Sequence, residues 1–488
     1  MKKTLLALFC LLSTTKIFAQ QFSQINTGTL YDSFENPSQK VFTADTSKMF
    51  ASNFFLPSFN LNFYLTGDAQ AALKSRIFSN YYNTAALQVG KGRYNHVYAN
   101  SNAYLLMFKV FASVNGDTEL GFSINTKSEA RSLVSDESIL FFNGLGSFPN
   151  NTYNNMFNDN LYYQVYQQIG FTYREQISKQ FALGIKLSAL SGVTYEDLQI
   201  TQSRIVTDTA NDAATLEMAG RNTTSSNEGK SYLQNMIPTF RNPGASISIG
   251  TSYKTEDGFI IQANIKDLGF IHWNSRSPTY NFNTFGSPVI INGLSTPQRE
   301  DSIYNKGHFV TTTTPIISSF TSATNGLAEL SANKTFWLDA DQNFKFSPTL
   351  IASKELMYSG FTGALVAPFS YKKYTITLTS SYNDMKLFNF GGQFMIKTYD
   401  FDFFIGSERL YQSASLLKLA LSNPTAPVEA YTAPTAFSGA DLFFGISWKF
   451  GPVAEHGLNS SYVPVNSEKG FLGRLFERLF PQDPIKNN

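Results

Sequence analysis

The chain has 488 residues, of which 15% are aromatic and only 15% charged, with 38 basic residues against 36 acidic. A balance this close to neutral provides no polybasic surface for nucleic acid. The many aromatics, 45 Phe and 25 Tyr, come with a slightly negative mean hydropathy and no later run of 18 apolar residues, which excludes a helical membrane protein.

The chain opens with Lys2 and Lys3, then a short apolar run from Leu5 to Leu12, then Ile17-Phe18-Ala19. This reads as an export signal cleaved near Ala19, since the run is far too short to span a bilayer as a helix. Cys10, the only cysteine, follows Leu8-Phe9 rather than the small residues of a lipoprotein signal. The mature chain then has no cysteine, which excludes disulfides and thiolate metal sites. Without Lys2, Lys3 and Lys16 it carries 35 basic and 36 acidic residues, a formal charge of −1. Residues 20–56 are polar and irregular.

From Phe59 onward the chain alternates between apolar and small or polar residues, the period of a strand whose two faces meet different surroundings. In Phe181–Leu190, Phe181, Leu183, Ile185 and Leu187 oppose Ala182, Gly184, Lys186 and Ser188. In Gly244–Lys254, Ala245, Ile247, Ile249, Thr251 and Tyr253 oppose Ser246, Ser248, Gly250, Ser252 and Lys254. Residues 195–207 and 306–314 read as further strands, and Tyr374–Asn383 and Phe388–Thr398 are joined by the tight Asp384-Met385 connection. The last strand sets Leu442, Phe444, Ile446, Trp448 and Phe450 on one face. The polar faces carry Ser, Thr, Asn and Gly where a water-facing soluble sheet would carry Lys and Glu. In lipid every backbone polar group must be paired within the protein, so such strands span only as a closed barrel.

The expected fold is therefore all-β: a transmembrane antiparallel β-barrel over 57–450, of about 14 strands with 12 to 16 allowed. It belongs in the outer membrane of a Gram-negative bacterium, in contact with outer-membrane lipid, one chain closing one monomeric barrel. Residues 208–243 and 274–305, rich in Asn, Ser and Thr or Pro, are expected as outer loops. Two short helices are expected in loops or lumen: one capped by Ser135 and stopped at Gly144, the other over Ser413–Leu421. The tail 451–488 belongs in the periplasm. Within its helix, 469–480, Phe471, Leu472, Leu475, Phe476, Leu479 and Phe480 share one face, and Pro481 ends it. That face is a candidate contact for a periplasmic protein partner or the membrane, or a plug for its own barrel.

Several short stretches carry a family resemblance: Asn36-Pro37 ahead of Phe54-Phe55-Leu56-Pro57, then Asn242-Pro243-Gly244, then Asp267-Leu268-Gly269-Phe270-Ile271-His272-Trp273. Together they resemble a Bacteroidota outer-membrane β-barrel family of unassigned function. That family is similar to the FadL-type fatty-acid transporters and to the PorV and PorP barrels of the type IX secretion system. The FadL likeness implies an N-terminal plug or hatch segment, which residues 20–56 would supply.

No catalytic residue, cofactor or metal is assigned, because no hydrolase elbow, zinc motif or nucleotide loop is present. Two histidine–carboxylate pairs are conceivable, His96 with Asp117 and His272 with Asp267, with ordinary loop histidines the simpler reading. Asp267 and Trp273 are candidates for a rim or gate. The preferred structural reading makes Asp267-Leu268-Gly269 a bulge or a strand end and puts the Trp273 ring among lipid headgroups. Three functions compete. Transport of a hydrophobic or amphipathic small molecule comes first, hinted at by Tyr64, Met395, Phe404 and Phe443 on the polar sides of their strands. A non-conducting docking barrel of a type IX secretion or gliding complex comes second. An open porin comes last, because few charges appear on inward faces.

Overall fold

The structure, a computed structural model, describes residues 27–37, 48–111, 117–225, 238–358, 360–383, 385–422, 424–426, 428–429, 437–453 and 471–479. Fourteen strands form a closed antiparallel barrel. Strand β1 is in two pieces, Lys48–Ser52 and Ser58–Leu65. It is followed by β2 (Tyr94–Phe111), β3 (Thr118–Ser135), β4 (Asn160–Gln176), β5 (Phe181–Asp208), β6 (Pro243–Lys254) and β7 (Phe259–Trp273). Strand β8 comprises Phe320–Ala323 and Leu327–Lys334, and β9 comprises Phe344–Phe346 and Thr349–Glu355. The circuit continues through β10 (Phe361–Tyr371), β11 (Tyr374–Asn383), β12 (Phe388–Lys397), β13 (Phe401–Ser407) and β14 (Ser438–Val453). Strand β14 then pairs with both pieces of β1, Ser52 opposite Trp448 and Phe59 opposite Phe444, and the wall has no free edge.

The alternation sorts the two faces as expected. In β6 the serines Ser246, Ser248 and Ser252 are buried in the lumen while Ile249 and Tyr253 are exposed on the outside. In β14 Phe443, Ser447 and Lys449 are buried while Leu442 and Phe450 are exposed. An apolar outer belt around a polar interior is stable only against lipid, so this is a membrane-spanning barrel. Among the described residues no helix is long and apolar enough to cross a membrane; the strands do the crossing.

The wall begins at Lys48, inside the segment expected to be purely plug. Between its two pieces Phe54 and Phe55 adopt left-handed backbone, φ 45° and 64°, and are thrust outward. The side chain of Asn53 closes the gap in the ladder. Its Nδ2 donates to the carbonyls of Leu56 and Leu105, and its Oδ1 accepts from the Met107 amide at 2.7 Å.

Short turns gather at one end of the barrel and long connections at the other. By the rule for such barrels the first end is periplasmic and the second external. Among the described residues the expected outer loops carry strands and a helix. Residues 195–207 are the upper part of β5, which runs on to Asp208 and pairs with a strand at Ala213–Thr224. That strand in turn pairs with Pro278–Asn283 and Val289–Asn292. Residues 306–314 are mostly helix, within α4 (Arg299–Thr311), because Ile303 and Val310 bury into the core of this outer cap. The cap also holds helix α2 (Gln70–Ser79) and α3 (Asp136–Phe142); the Ser135 hydroxyl caps α3, accepting from the Ser138 amide. Phe141, Phe148, Tyr153, Phe157, Leu216 and Phe282 fill the core between them. The link between β11 and β12 lies at this same outer end. The Ser413–Leu421 helix is present as α5 (Leu410–Ser422).

Candidate functional site

Six residues, Leu30–Glu35, form a helix α1 inside the lumen. Thr29 caps it, its hydroxyl accepting from the Asp32 amide. One side of α1 is apolar. Leu30, Tyr31 and Phe34 pack against Tyr104, Met107, Met395, Phe404 and Phe443. Tyr31 meets the rings of Tyr104 and Phe404 edge-on, at centroid distances of 5.4 and 5.8 Å. Met395, Phe404 and Phe443, noted for their place on the polar side of their strands, thus form the seat of the plug. Tyr64, the fourth such residue, instead stacks on Tyr98 higher in the lumen at 5.0 Å.

The other side of α1 is polar. Glu35 Oε1 accepts from Asn102 Nδ2 at 2.6 Å and from Tyr104 Oη at 2.5 Å, and lies 3.7 Å from Lys127 Nζ. Asn36 Oδ1 accepts from Asn264 at 3.1 Å. The carbonyls at the end of α1 have no helical partner and carry the negative end of its dipole. Cationic side chains meet them: Arg174 donates to the Ser33 carbonyl and Lys186 to that of Phe34. The chain passes so close to the wall that a side chain at Gly184 would collide with the Pro37 carbonyl. One at Gly121 would press into the Phe34 ring, 2.9 Å away. Small residues on the lumen face were visible in the sequence; that they mark the path of the plug was not.

Asp267 sits at the centre of the wall facing α1. Its carboxylate is 2.5 Å from Lys127 Nζ and 3.8 Å from Lys186 Nζ, and it accepts from Gln168 Nε2 at 2.9 Å. The backbone explains the position. Asp267 has φ 49°, and the pairing of β7 with β6 shifts between Ile265 and Leu268. This is a bulge, and it turns both Lys266 and Asp267 inward. From there on the faces are exchanged: Ile261 and Ile265 are exposed before the bulge, Leu268 and Phe270 after it. Trp273 is therefore not at the lipid interface. It is fully buried beside Tyr195 and Phe320, its Nε1 donating to Ser322 Oγ at 2.8 Å. Asp267 and Trp273 lie on one strand but in different layers, the first beside the plug and the second in an aromatic layer nearer the outer mouth.

Between α1 and the wall is a cavity of about 170 Å³, lined by Tyr31, Glu35, Asn102, Lys127, Asp267 and Glu329 among others. Above it Arg131 pairs with Glu129 and, through both nitrogens, with Glu355 at 2.9 and 3.0 Å, under the ring of Tyr358. Below it Glu119 joins Arg174 at 2.8 Å and Lys109 at 3.5 Å. Inward-facing charges are thus more numerous than the sequence reading allowed. Lys127, Glu129 and Arg131 stand on alternate positions of β3, and Glu129 pairs with Arg131 on that strand, but Glu355, Asp267 and Glu35 reach this row only across the lumen.

Neither histidine pair is assembled. His96 lies near the outer end of β2, while Asp117 precedes β3 at the other end. His272 is exposed on the outer face, against Thr321, whereas Asp267 faces the lumen. The tail helix is present as Phe471–Leu479. Leu472 is buried, Phe471 and Leu475 are exposed, and Phe480 lies outside the described residues.

Residues 44–408 match the model of a family described as a family of unknown function (DUF5723). No curated protein matches the sequence. Among solved structures the chain is similar to the toluene transporter TbuX of Ralstonia pickettii, with 8% identity and a TM-score of 0.41 over 85% of this chain and 92% of that one. It is also similar to the Pseudomonas putida toluene transporter TodX, with 8% identity and a TM-score of 0.39 over 90% and 95%. A Pseudomonas aeruginosa FadL homologue has 10% identity and a TM-score of 0.37 over 91% and 99%. What those proteins carry is theirs; the barrel described above stands on its own strand pairings.

Proposed function

The chain belongs to DUF5723, a family of unknown function, and we propose that it is a gated outer-membrane channel that passes a small amphipathic molecule when its N-terminal plug shifts. One observation carries the reading. The place filled by α1 is apolar on one side, at Tyr104, Met107, Phe404 and Phe443, and charged on the other, at Lys127 and Asp267. A solute that takes the place of the plug meets the same two surfaces. A purely apolar solute would leave the charges unsolvated, and a fully polar one would waste the aromatic seat.

The test is uptake into proteoliposomes of amphipathic probes, beside neutral sugars of similar size, by the intact protein and by a variant lacking residues 27–37. Faster entry of the amphipathic probes, increased by the deletion, is expected. Entry no faster than into empty vesicles for both proteins overturns the reading.

A second reading, a docking barrel of a type IX secretion or gliding complex, draws support from the outer cap, which exposes Ile290, Tyr304, Phe309, Ile316 and Ile317. It predicts co-purification of a defined partner in mild detergent, and a lumen silent in the uptake assay even without the plug.

A further inference from the structure

We propose that the C-terminal helix lies flat in the periplasmic leaflet of the outer membrane against strand β4, so that the ligand of this tail is lipid. Call the helix α6 (Phe471–Leu479). The argument starts from the face of β4 that meets it. Outward-facing residues alternate along the periplasmic half of this strand as Phe171, Tyr173 and Glu175. Phe171 is 51% exposed and is flanked in register by Phe122 on β3 and Leu187 on β5, both also exposed. These three belong to the apolar belt that faces acyl chains.

One step toward the periplasm along the same face, the wall takes hold of α6. The Phe471 amide donates to Tyr173 Oη at 3.1 Å and the Leu472 amide to Glu175 Oε2 at 2.8 Å. The Tyr173 hydroxyl itself donates to that carboxylate oxygen at 2.8 Å. Both amides are among the unpaired donors of a helix start, where a carboxylate is also favoured by the dipole. The contact fixes α6 outside the barrel and immediately below the belt, not beneath the lumen.

The side chains then divide. Leu472 turns in and is buried, whereas Phe471 and Leu475, one turn apart, are 64% and 42% exposed beside the exposed Arg474 and Arg478. A short helix with an apolar edge and flanking arginines matches a headgroup boundary, where the apolar edge sinks among acyl chains and the guanidinium groups reach phosphate. Continuity with the belt favours lipid over a protein. A protein seated on Phe471 and Leu475 would first have to displace the lipid annulus that the barrel itself requires.

The test uses the full chain in a Cys10→Ser background, reconstituted in vesicles of phosphatidylethanolamine and phosphatidylglycerol. Single spin labels are placed by Phe471→Cys, Leu475→Cys, Arg474→Cys and Arg478→Cys, and heat-modifiability on gels confirms that each barrel is folded. Labels at 471 and 475 are expected to be relaxed by oxygen dissolved in lipid and shielded from an aqueous nickel chelate, with the reverse at 474 and 478. Four equally water-accessible labels overturn the proposal. So does shielding of 471 and 475 from the nickel chelate without relaxation by lipid-dissolved oxygen, which indicates cover by the barrel or a second copy, or shielding that appears only on adding periplasmic extract. As a second readout, the intact protein in vesicles is expected to resist trypsin at Arg474, and the double variant Phe471→Glu, Leu475→Glu to lose that protection.

Discussion

The backbone of Pro37 lies directly against the Cα of Gly184, with no room between them for a methyl group. Gly184 pairs with Arg174 on β4 and Gly250 on β6, so strand backbone on both sides holds it in place and the wall cannot yield. Replacing Gly184 by Val is therefore expected to expel α1 while leaving the barrel closed. Planar-bilayer recordings should show long-lived open events that the parent protein lacks, with unchanged heat-modifiability. A silent Gly184→Val channel whose plug remains protease-resistant would refute this.

The second prediction concerns Lys127, which holds Asp267 at 2.5 Å and Glu35 at 3.7 Å. Removing one partner of a buried ion pair leaves an uncompensated charge and commonly costs about 3–5 kcal/mol. Here Lys186 remains 3.8 Å from Asp267, so Lys127→Met should fall at or below the lower end of that range. Adding Asp267→Asn should recover part of the loss. Denaturant midpoints of the two variants check the order; equal losses would mean that the two groups are not coupled.

The third prediction is a pH dependence in the outer cap. Lys74, on α2, is almost fully buried, and burial pushes its ammonium down to about 8. An unfolded cap would titrate near the ordinary lysine value of about 10.4. Between these values the unfolded form holds a proton that the folded form has released, so cap stability should rise with pH across that window. Below it the penalty for the buried charge is present in full. Lys74→Met is expected to flatten the rise. Protease cleavage rates within the cap, at neutral pH and above about pH 10, measure both effects.

The fourth prediction follows from the bulge at Asp267. With Trp337 and Trp448 replaced by Phe, the fluorescence of Trp273 should be unaffected by brominated lipids, since its ring is fully buried in the lumen. Restoring Trp448, on the outward face of β14, should restore quenching. Quenching of Trp273 alone would place it among the headgroups and remove the bulge.

That residue also shows how far the sequence can be read. Alternation found the strands because lipid and lumen impose opposite polarity on neighbouring side chains, and in β6 and β14 it assigned both faces correctly. In β7 one left-handed residue exchanges the faces; Asp267-Leu268-Gly269 is legible as a bulge, but the sequence does not show that the strand runs on beyond it with its faces exchanged. Continued without it, the pattern carries Trp273 outward. Outside the membrane the rule no longer applies. Residues 306–314 alternate like a strand, yet the cap core takes up Ile303 and Val310 seven residues apart, which is the spacing of a helix. The ion pairs of the lumen were invisible for a different reason: Lys127, Glu35 and Asp267 are brought together only when the sheet closes.

The plug and the first strand are separated by only ten residues, 38–47. A chain of that length reaches about 35 Å at full extension, and its far end is tied to Lys48 at the periplasmic rim. Withdrawal of α1 is thus a leashed movement. It can drop out of the lumen toward the periplasm and return, but it cannot be pushed through the outer mouth without tearing the first strand from the seam it makes with the last. If the plug is released as proposed, the trigger must act from below, or push from above along a path that ends inside the envelope.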